Sequence, residues 1–330
     1  VKEVLLKVEN AKAYYKLEKV SVKAVDGVSF EILEDEVVGI VGESGCGKTT
    51  LSNLIFMNIL KPLTLVEGKM LLRVNGNFEE ISSMSRGEVK KRFWGTQITI
   101  IPQSAMNALM PTIRMAKYVE HLAQSQQMDP RDLLEKVSIR FEEVGLDPRW
   151  IKRFPFELSG GMRQRAVIAI ATILNPKLLI ADEPTSALDV VNQKVFLKTL
   201  MKLKQMKVVR SIVFITHDIA TVRQIADRMI VMYAGKIVEF SEMEKILEKP
   251  FHPYTRGLFS SVLTPEPEIR KRGISVIPGA PPNLINPPSG CRFHPRCPYV
   301  MEVCKAEEPP LKEVEEGRRV ACFLYSEERL

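Results

Sequence analysis

No run of about 18 apolar residues, the length a helix needs to cross a bilayer, occurs anywhere in the 330 residues. The N-terminus lacks a basic segment followed by a hydrophobic core, so no secretory signal is read there and a cytoplasmic setting is expected. Sustained apolar heptads are missing as well, which excludes a long coiled-coil arm. Extended blocks of one charge are also missing. Despite a net charge of +7, basic residues fall in short groups such as Lys90-Lys91-Arg92 and Arg270-Lys271-Arg272, the pattern of a solvated surface rather than a nucleic-acid face. Cysteine is nearly absent until the end of the chain, Cys46 being the only one before residue 291. The whole sequence, 45% hydrophobic and 26% charged, has the composition of a globular protein large enough for one big domain and a smaller one.

What is present begins with Gly42-Glu43-Ser44-Gly45-Cys46-Gly47-Lys48-Thr49, which satisfies the G-x-x-x-x-G-K-[ST] pattern. An apolar run of strand length, residues 36–41, enters the glycines, and helical spacing resumes after Thr50. Glycines at 42, 45 and 47 let the backbone turn so that successive N–H groups, with Ser44, Cys46 and Thr50 in the same loop and first turn, face a phosphate chain. Lys48 would reach the β- and γ-phosphates, and the Thr49 hydroxyl can ligate a magnesium ion shared with the nucleotide.

Three further apolar runs each end in a polar side chain. Leu178 to Ala181 delivers Asp182-Glu183 to the carboxyl edge of a predicted parallel sheet, where α/β proteins bind ligands. Asp182 would orient magnesium through water, leaving Glu183 free to act as general base on the attacking water. Residues 211–216 deliver His217, which can donate to the γ-phosphate. Residues 98–102 deliver Gln103, placed to sense magnesium or the attacking water.

With Leu158-Ser159-Gly160-Gly161-Met162-Arg163-Gln164 lying between these runs, the chain resembles the ATP-binding subunit of an ABC transporter over roughly residues 1–262. The resemblance implies an α/β fold: a RecA-like mixed-sheet core with a helical subdomain at about 104–160, where periodic stretches run over 112–127 and 132–144. It makes Gln103 the Q-loop residue, residues 186–189 with Asp189 the D-loop, and His217 the switch histidine. Tyr14 is expected to stack on adenine, with Tyr15 as the alternative. It also implies a head-to-tail pair with a homologous or identical second ATPase subunit, in which Ser159, Gly160 and Gly161 serve the partner's ATP. Two transmembrane permease subunits would dock near residues 103–118, supplied by an extracellular substrate-binding protein. ATP hydrolysis would then power import from the cytoplasmic face of the membrane. A soluble ABC ATPase acting on nucleic acid or ribosomes is the competing reading, and a single motif set without heptads counts against it. A regulatory protein that uses ATP only as a conformational ligand is a third.

The last stretch, residues 263–330, holds Cys291, Cys297, Cys304 and Cys322. In a reducing compartment such a group binds metal more often than it forms disulfides. Its spacing matches neither common zinc ribbons nor ferredoxin patterns, so spacing does not identify the ligand. Residues 251–255, 279–282 and 290–298 resemble the C-terminal extension of dipeptide and oligopeptide importer ATPases. That resemblance implies peptide as substrate, with oligosaccharide as the alternative, and a [4Fe–4S] cluster on the four cysteines, with zinc as the alternative. Arg292, Arg296, Lys305, Arg318 and Arg319 would offset the cluster's charge, and the cluster would anchor a segment too short to build its own core. At Cys46, the adjacent helix N-terminus would lower the thiol pKa and make alkylation block ATP binding.

Overall fold

The computed structural model describes residues 2–103, 108–186, 188–260 and 277–325. Along the chain come β1 (Val4–Lys16), β2 (Ser21–Leu33), β3 (Val37–Val41), α1 (Lys48–Ile55), β4 (Leu63–Val74), β5 (Asn77–Glu80), α2 (Arg86–Arg92) and β6 (Ile98–Ile101). Helices α3 (Met115–Gln126), α4 (Pro130–Glu143) and α5 (Gly160–Ala171) follow without an intervening strand. Then come β7 (Leu178–Asp182), α6 (Val190–Gln205), β8 (Ser211–Ile215), α7 (Ile219–Val222), β9 (Arg228–Tyr233), β10 (Lys236–Glu242), α8 (Met243–Glu248) and α9 (Pro253–Ser260). The C-terminal segment adds α10 (Glu302–Ala306), β11 (Lys312–Glu315) and β12 (Arg318–Val320).

Strands β1 and β2 alternate between core and partly exposed positions, as expected of an antiparallel sheet with one covered face, and they join β4 and β5 in the order β2-β1-β4-β5. Strands β3, β7 and β8 are buried at every residue. Such strands suit the interior of a parallel sheet covered on both faces. They lie in a second sheet of order β11-β12-β10-β9-β3-β8-β7-β6, parallel from β9 to β6. Two apolar cores result. One fills the space between the two sheets, and the other lies under the helices on the opposite face of the parallel sheet.

The helical region begins where the alternating pattern stops. Asp129 caps α4 by accepting the N–H of Arg131, and Pro130 occupies the first helical position, where its missing N–H costs nothing. Leu133, Val137 and Phe141 recur every four residues and are fully buried on one face of that helix. Burial of such side chains stabilises by about 1.5–3 kcal/mol each. The expected helices at 112–127 and 132–144 are therefore present, shifted by a few residues at their starts.

The C-terminal segment does not stand apart from the sheet. Strand β12 pairs with β10, setting Glu239 opposite Val320 and Phe240 opposite Arg319, and β11 pairs with β12. The expected boundary near residue 262 lies outside the described residues, as do residues 104–107 of the segment proposed to dock on the membrane subunits and Ala187 of the D-loop.

Candidate active site

Strand β3 lies between β8 and β9, and the chain leaves its carboxyl end into the glycine loop. Gly47, the residue before α1, has φ +106, and a Cβ there would come within 2.1 Å of the Ala24 carbonyl oxygen. Only glycine fits that position. Lys48 is buried, and its ammonium donates to the carbonyls of Gly42 at 2.8 Å and Glu43 at 3.0 Å. These bonds fold the lysine back across the loop it would share with a phosphate.

Strand β7 ends beside this loop. The Thr49 hydroxyl lies 3.5 Å from an Asp182 carboxylate oxygen. Asp182 is almost fully buried, and burial pushes its carboxyl up to about 6, with the Glu183 charge acting in the same direction. Glu183 adopts φ +42, a left-handed conformation that is costly for a residue with a side chain, by about 1–3 kcal/mol. Its backbone N–H is fixed by the Ile215 carbonyl at 2.8 Å. The carboxylate lies between two groups from neighbouring strand ends: Gln103 Nε2 is 3.5 Å from one oxygen and His217 Nδ1 is 3.5 Å from the other. Strands β6, β7 and β8 thus converge on one carboxylate at the sheet's carboxyl edge.

A cavity joins these groups. Its lining includes Ser44, Gly45, Gly47, Lys48, Thr49, Thr50, Gln103, Glu183 and His217. Gly42 and Cys46 belong to the same loop but do not line the cavity, and Asp182 meets it only through Thr49. Tyr15 lines the cavity, its hydroxyl 3.2 Å from Thr50 Oγ1. Tyr14, expected to meet the adenine, instead points to the other face of β1 and donates its hydroxyl to Asp26. Alternation along the strand makes the two tyrosines mutually exclusive choices, and the alternative residue, Tyr15, is the one at the cavity.

The signature residues lie away from this cavity. Ser159 caps α5, accepting the Met162 N–H at 3.3 Å, so Gly160 and Gly161 form the helix's first turn. A Cβ on Gly161 would meet Asn192 Oδ1 at 3.0 Å, which ties the start of α5 to the start of α6. Asp189 caps α6 and takes hydrogen bonds from the N–H of Asn192 at 2.8 Å and from its side-chain amide at 2.6 Å. In one chain, then, the phosphate loop and the signature turn do not form one pocket.

Several expectations for cysteines and basic residues are corrected. Cys46 is buried, and desolvation pushes its thiol up rather than down, outweighing the nearby Lys48 charge. Arg292 bonds Asp26 and the Ala234 carbonyl, and Arg296 makes a two-pronged pair with Glu43 at 2.8 and 3.0 Å. Arg318 pairs with Glu315 at 3.1 Å and with the carbonyls of Lys245 and Lys249, Lys305 pairs with Glu302 at 2.6 Å, and Arg319 lies over the Phe240 ring. Arg292, Arg296, Arg318 and Arg319 thus tie the C-terminal segment to carboxylates, carbonyls and a ring face of the cassette, while Lys305 pairs within the segment. The four late cysteines nevertheless line one small cavity. Burial pushes Cys291 up to about 11 and Cys322 up to about 12, with the other thiols of the group acting in the same direction. Among the described residues, no group of three or more His, Cys, Asp or Glu is disposed to hold a metal ion.

Residues without a site role in the sequence reading also reach the site, although Tyr254 belongs to the 251–255 stretch that resembles the importer extension. Leu284 of the C-terminal segment lines the phosphate-loop cavity, and its carbonyl accepts the Lys23 N–H at 2.9 Å. Tyr254 accepts the Glu43 N–H at 2.9 Å. Neither has a local signal, because both act through partners remote in sequence.

A phosphate loop, a strand-end acid pair and a separate Ser-Gly-Gly helix start on one mixed sheet define an ATP-binding cassette. The ABC transporter family matches residues 25–186, and the oligopeptide/dipeptide transporter C-terminal region matches residues 238–304. The dipeptide transport ATP-binding protein DppD of Caldanaerobacter subterraneus is 38% identical over 99% of this chain and 98% of its own length. The oligopeptide transport ATP-binding protein AppD of Bacillus subtilis is 39% identical over 98% of both. Among solved structures, the dimeric post-hydrolysis state of the ATP-binding cassette MJ0796 with ADP and Pi matches 72% of this chain and 99% of its own, at TM-score 0.60 and 26% identity. The chain belongs to the ATP-hydrolysing subunits of ABC transporters, in the branch that carries the oligopeptide/dipeptide C-terminal region. No helix among the described residues is long and apolar enough to cross a membrane.

Proposed function

We propose that this chain hydrolyses Mg-ATP to drive import of peptides, working on the cytoplasmic face of the membrane with a second cassette and two permease subunits fed by an extracellular binding protein. The convergence of Gln103, Glu183 and His217 beside Lys48 and Thr49 carries the reading of the chemistry. The names of the full-length relatives carry the choice of peptide over oligosaccharide.

The loop N–H groups from Ser44 to Thr49 and the Lys48 ammonium bind the phosphates, and Tyr15 supplies a flat face for the base. Thr49 and Asp182, with Gln103, would hold magnesium, whose chemistry is to neutralise charge on the β- and γ-phosphates. The donor set fits such a hard cation, since all three side chains present oxygen ligands. Glu183 takes a proton from the attacking water. Its left-handed backbone points the carboxylate at the cavity, and His217 and Gln103 fix its two oxygens. Ser159, Gly160 and Gly161 present a capped helix start to the second cassette's nucleotide.

The four clustered thiols are proposed to hold a [4Fe–4S] cluster. Soft sulfur donors suit iron–sulfur or zinc. The cavity they share supports placing one site on all four, and the sulfur donors would bind iron–sulfur or zinc there. Analysis of anaerobically purified protein is expected to give about four irons and four sulfides per chain. One zinc without sulfide would replace the cluster with a zinc site.

Transport is tested by reconstituting the chain with its second cassette and permease subunits in vesicles with labelled peptides and the binding protein on the opposite side. Mg-ATP on the cassette side is expected to drive peptide accumulation. Accumulation of an oligosaccharide instead of peptides would overturn the substrate reading.

A further inference from the structure

The phosphate loop is held from outside by the C-terminal half of the chain, and the contacts concentrate on Glu43. Its N–H donates to the Tyr254 hydroxyl at 2.9 Å. Its carboxylate takes two parallel hydrogen bonds from Arg296 at 2.8 and 3.0 Å. Its carbonyl accepts from the Lys48 ammonium at 3.0 Å. One residue therefore links the phosphate-binding lysine to a guanidinium 253 positions away in sequence.

Arg296 is only 7% exposed and fully engaged. Its Nε donates to the Pro278 carbonyl at 2.7 Å, and Nη1 also reaches the Tyr233 hydroxyl at 3.2 Å. Tyr233, Tyr254 and Phe293 pack as a three-ring cluster with centroids 4.6, 5.1 and 5.5 Å apart. Both groups that grip Glu43 are thus fixed by packing and hydrogen bonds. A forked, charge-assisted pair in a shielded site fixes direction as well as distance.

We propose that Arg296, acting through Glu43 and assisted by Tyr254, is a positioning residue that sets the affinity of the phosphate loop for ATP. The inference rests on the reading of this loop as the ATP site. With the pair intact, the Glu43 peptide is oriented so that its carbonyl holds Lys48 in the loop while its N–H is turned outward to Tyr254. Without it, the first turn of the loop has more conformations to lose when phosphate binds, so the cost falls on nucleotide affinity rather than on the chemical step. The C-terminal segment, which carries Arg296 next to Cys297, becomes part of the nucleotide site rather than an appendage.

The test is steady-state hydrolysis by the full chain, with binding of a fluorescent ATP analogue measured in parallel. Arg296→Met and Glu43→Gln are each expected to raise KM and the analogue's Kd about tenfold, with kcat changed less than about twofold. The double variant is expected to be no worse than either single, because both remove one interaction. Arg296→Lys should recover only part of the loss, since an ammonium cannot make the fork. A folded Arg296→Met protein with wild-type KM and Kd overturns the proposal, as do additive effects in the double variant. Should Arg296→Met not fold, Glu43→Gln and Tyr254→Phe carry the test, and unchanged affinity in both overturns it. Should the wild-type chain, assembled with its second cassette, bind the analogue without turnover, the hydrolysis reading fails while the Kd comparison still decides the clamp.

Discussion

The carboxyl edge of the parallel sheet and the C-terminal segment meet at the phosphate loop, yet they are built in opposite ways. At the sheet edge, each functional side chain sits at the end of its own strand, so a short local pattern positions it: Gln103 after β6, Asp182 and Glu183 at the end of β7, His217 after β8. The C-terminal segment has little regular structure, and its position is set by side chains that reach far along the sequence, Arg292 to Asp26 and Arg296 to Glu43. Chemistry carried by strand ends tolerates change elsewhere in the chain. Placement carried by buried ion pairs does not, because losing one partner leaves the other charge desolvated.

The largest effect that follows from this contrast concerns Arg292. It is buried against Asp26, which also accepts from Tyr14. Arg292→Met is expected to lower unfolding stability by about 3 kcal/mol in denaturant titration, and adding Asp26→Asn should restore part of the loss. A cost near zero for the single variant would mean that the strands β11 and β12 alone hold the segment in place.

A second effect depends on pH. His252 is fully buried, and burial, followed by the charge of Arg256, holds its pKa down at about 3 against an ordinary 6.5. Above the ordinary value, neither folded nor unfolded chain protonates this ring. As pH falls below it, the unfolded chain takes up a proton that the folded chain refuses until about pH 3, so stability is lost through that window. His252→Asn keeps an acceptor for the Tyr254 N–H, which His252 Nδ1 accepts at 3.0 Å. The stability of the wild type relative to this variant is expected to fall by about 1.4 kcal/mol per pH unit on acidification within the window. Parallel stability curves for the two proteins would show that the ring is protonated in the fold.

The smallest effect concerns Cys46, whose thiol is buried and shifted toward the protonated form. At neutral pH, iodoacetamide is expected to alkylate it at least about tenfold more slowly than a free model thiol, with denaturant removing the difference. Labelling at the free-thiol rate would restore the reactive, helix-activated cysteine that the sequence suggested.

These cases also mark what the sequence conveys. The glycine loop, acid pair, histidine and glutamine were legible because each is a local pattern on a strand–loop unit, and the structure brings Thr49, Gln103, Glu183 and His217 to one cavity. The choice between Tyr14 and Tyr15 was not legible, because adjacent residues on a strand face opposite ways and register decides which face meets the loop. Cys46 misled for a related reason: proximity to a helix N-terminus is visible in sequence, while burial, which outweighs it here, is not. Arg292 and Arg296 read as counter-charges because their partners, Asp26 and Glu43, lie more than 250 residues away.

The most direct test of the account is Glu183→Gln, measured for both ATP binding and turnover in the presence of magnesium. The side chain keeps its size, and its one carbonyl oxygen can still accept from Gln103, but the amide can no longer accept the water's proton. Nucleotide affinity is expected to remain near wild type while turnover falls by about 10²- to 10⁴-fold. Turnover within a few-fold of wild type would contradict the assignment of Glu183 as the general base and, with it, the account of the sheet edge as the catalytic centre.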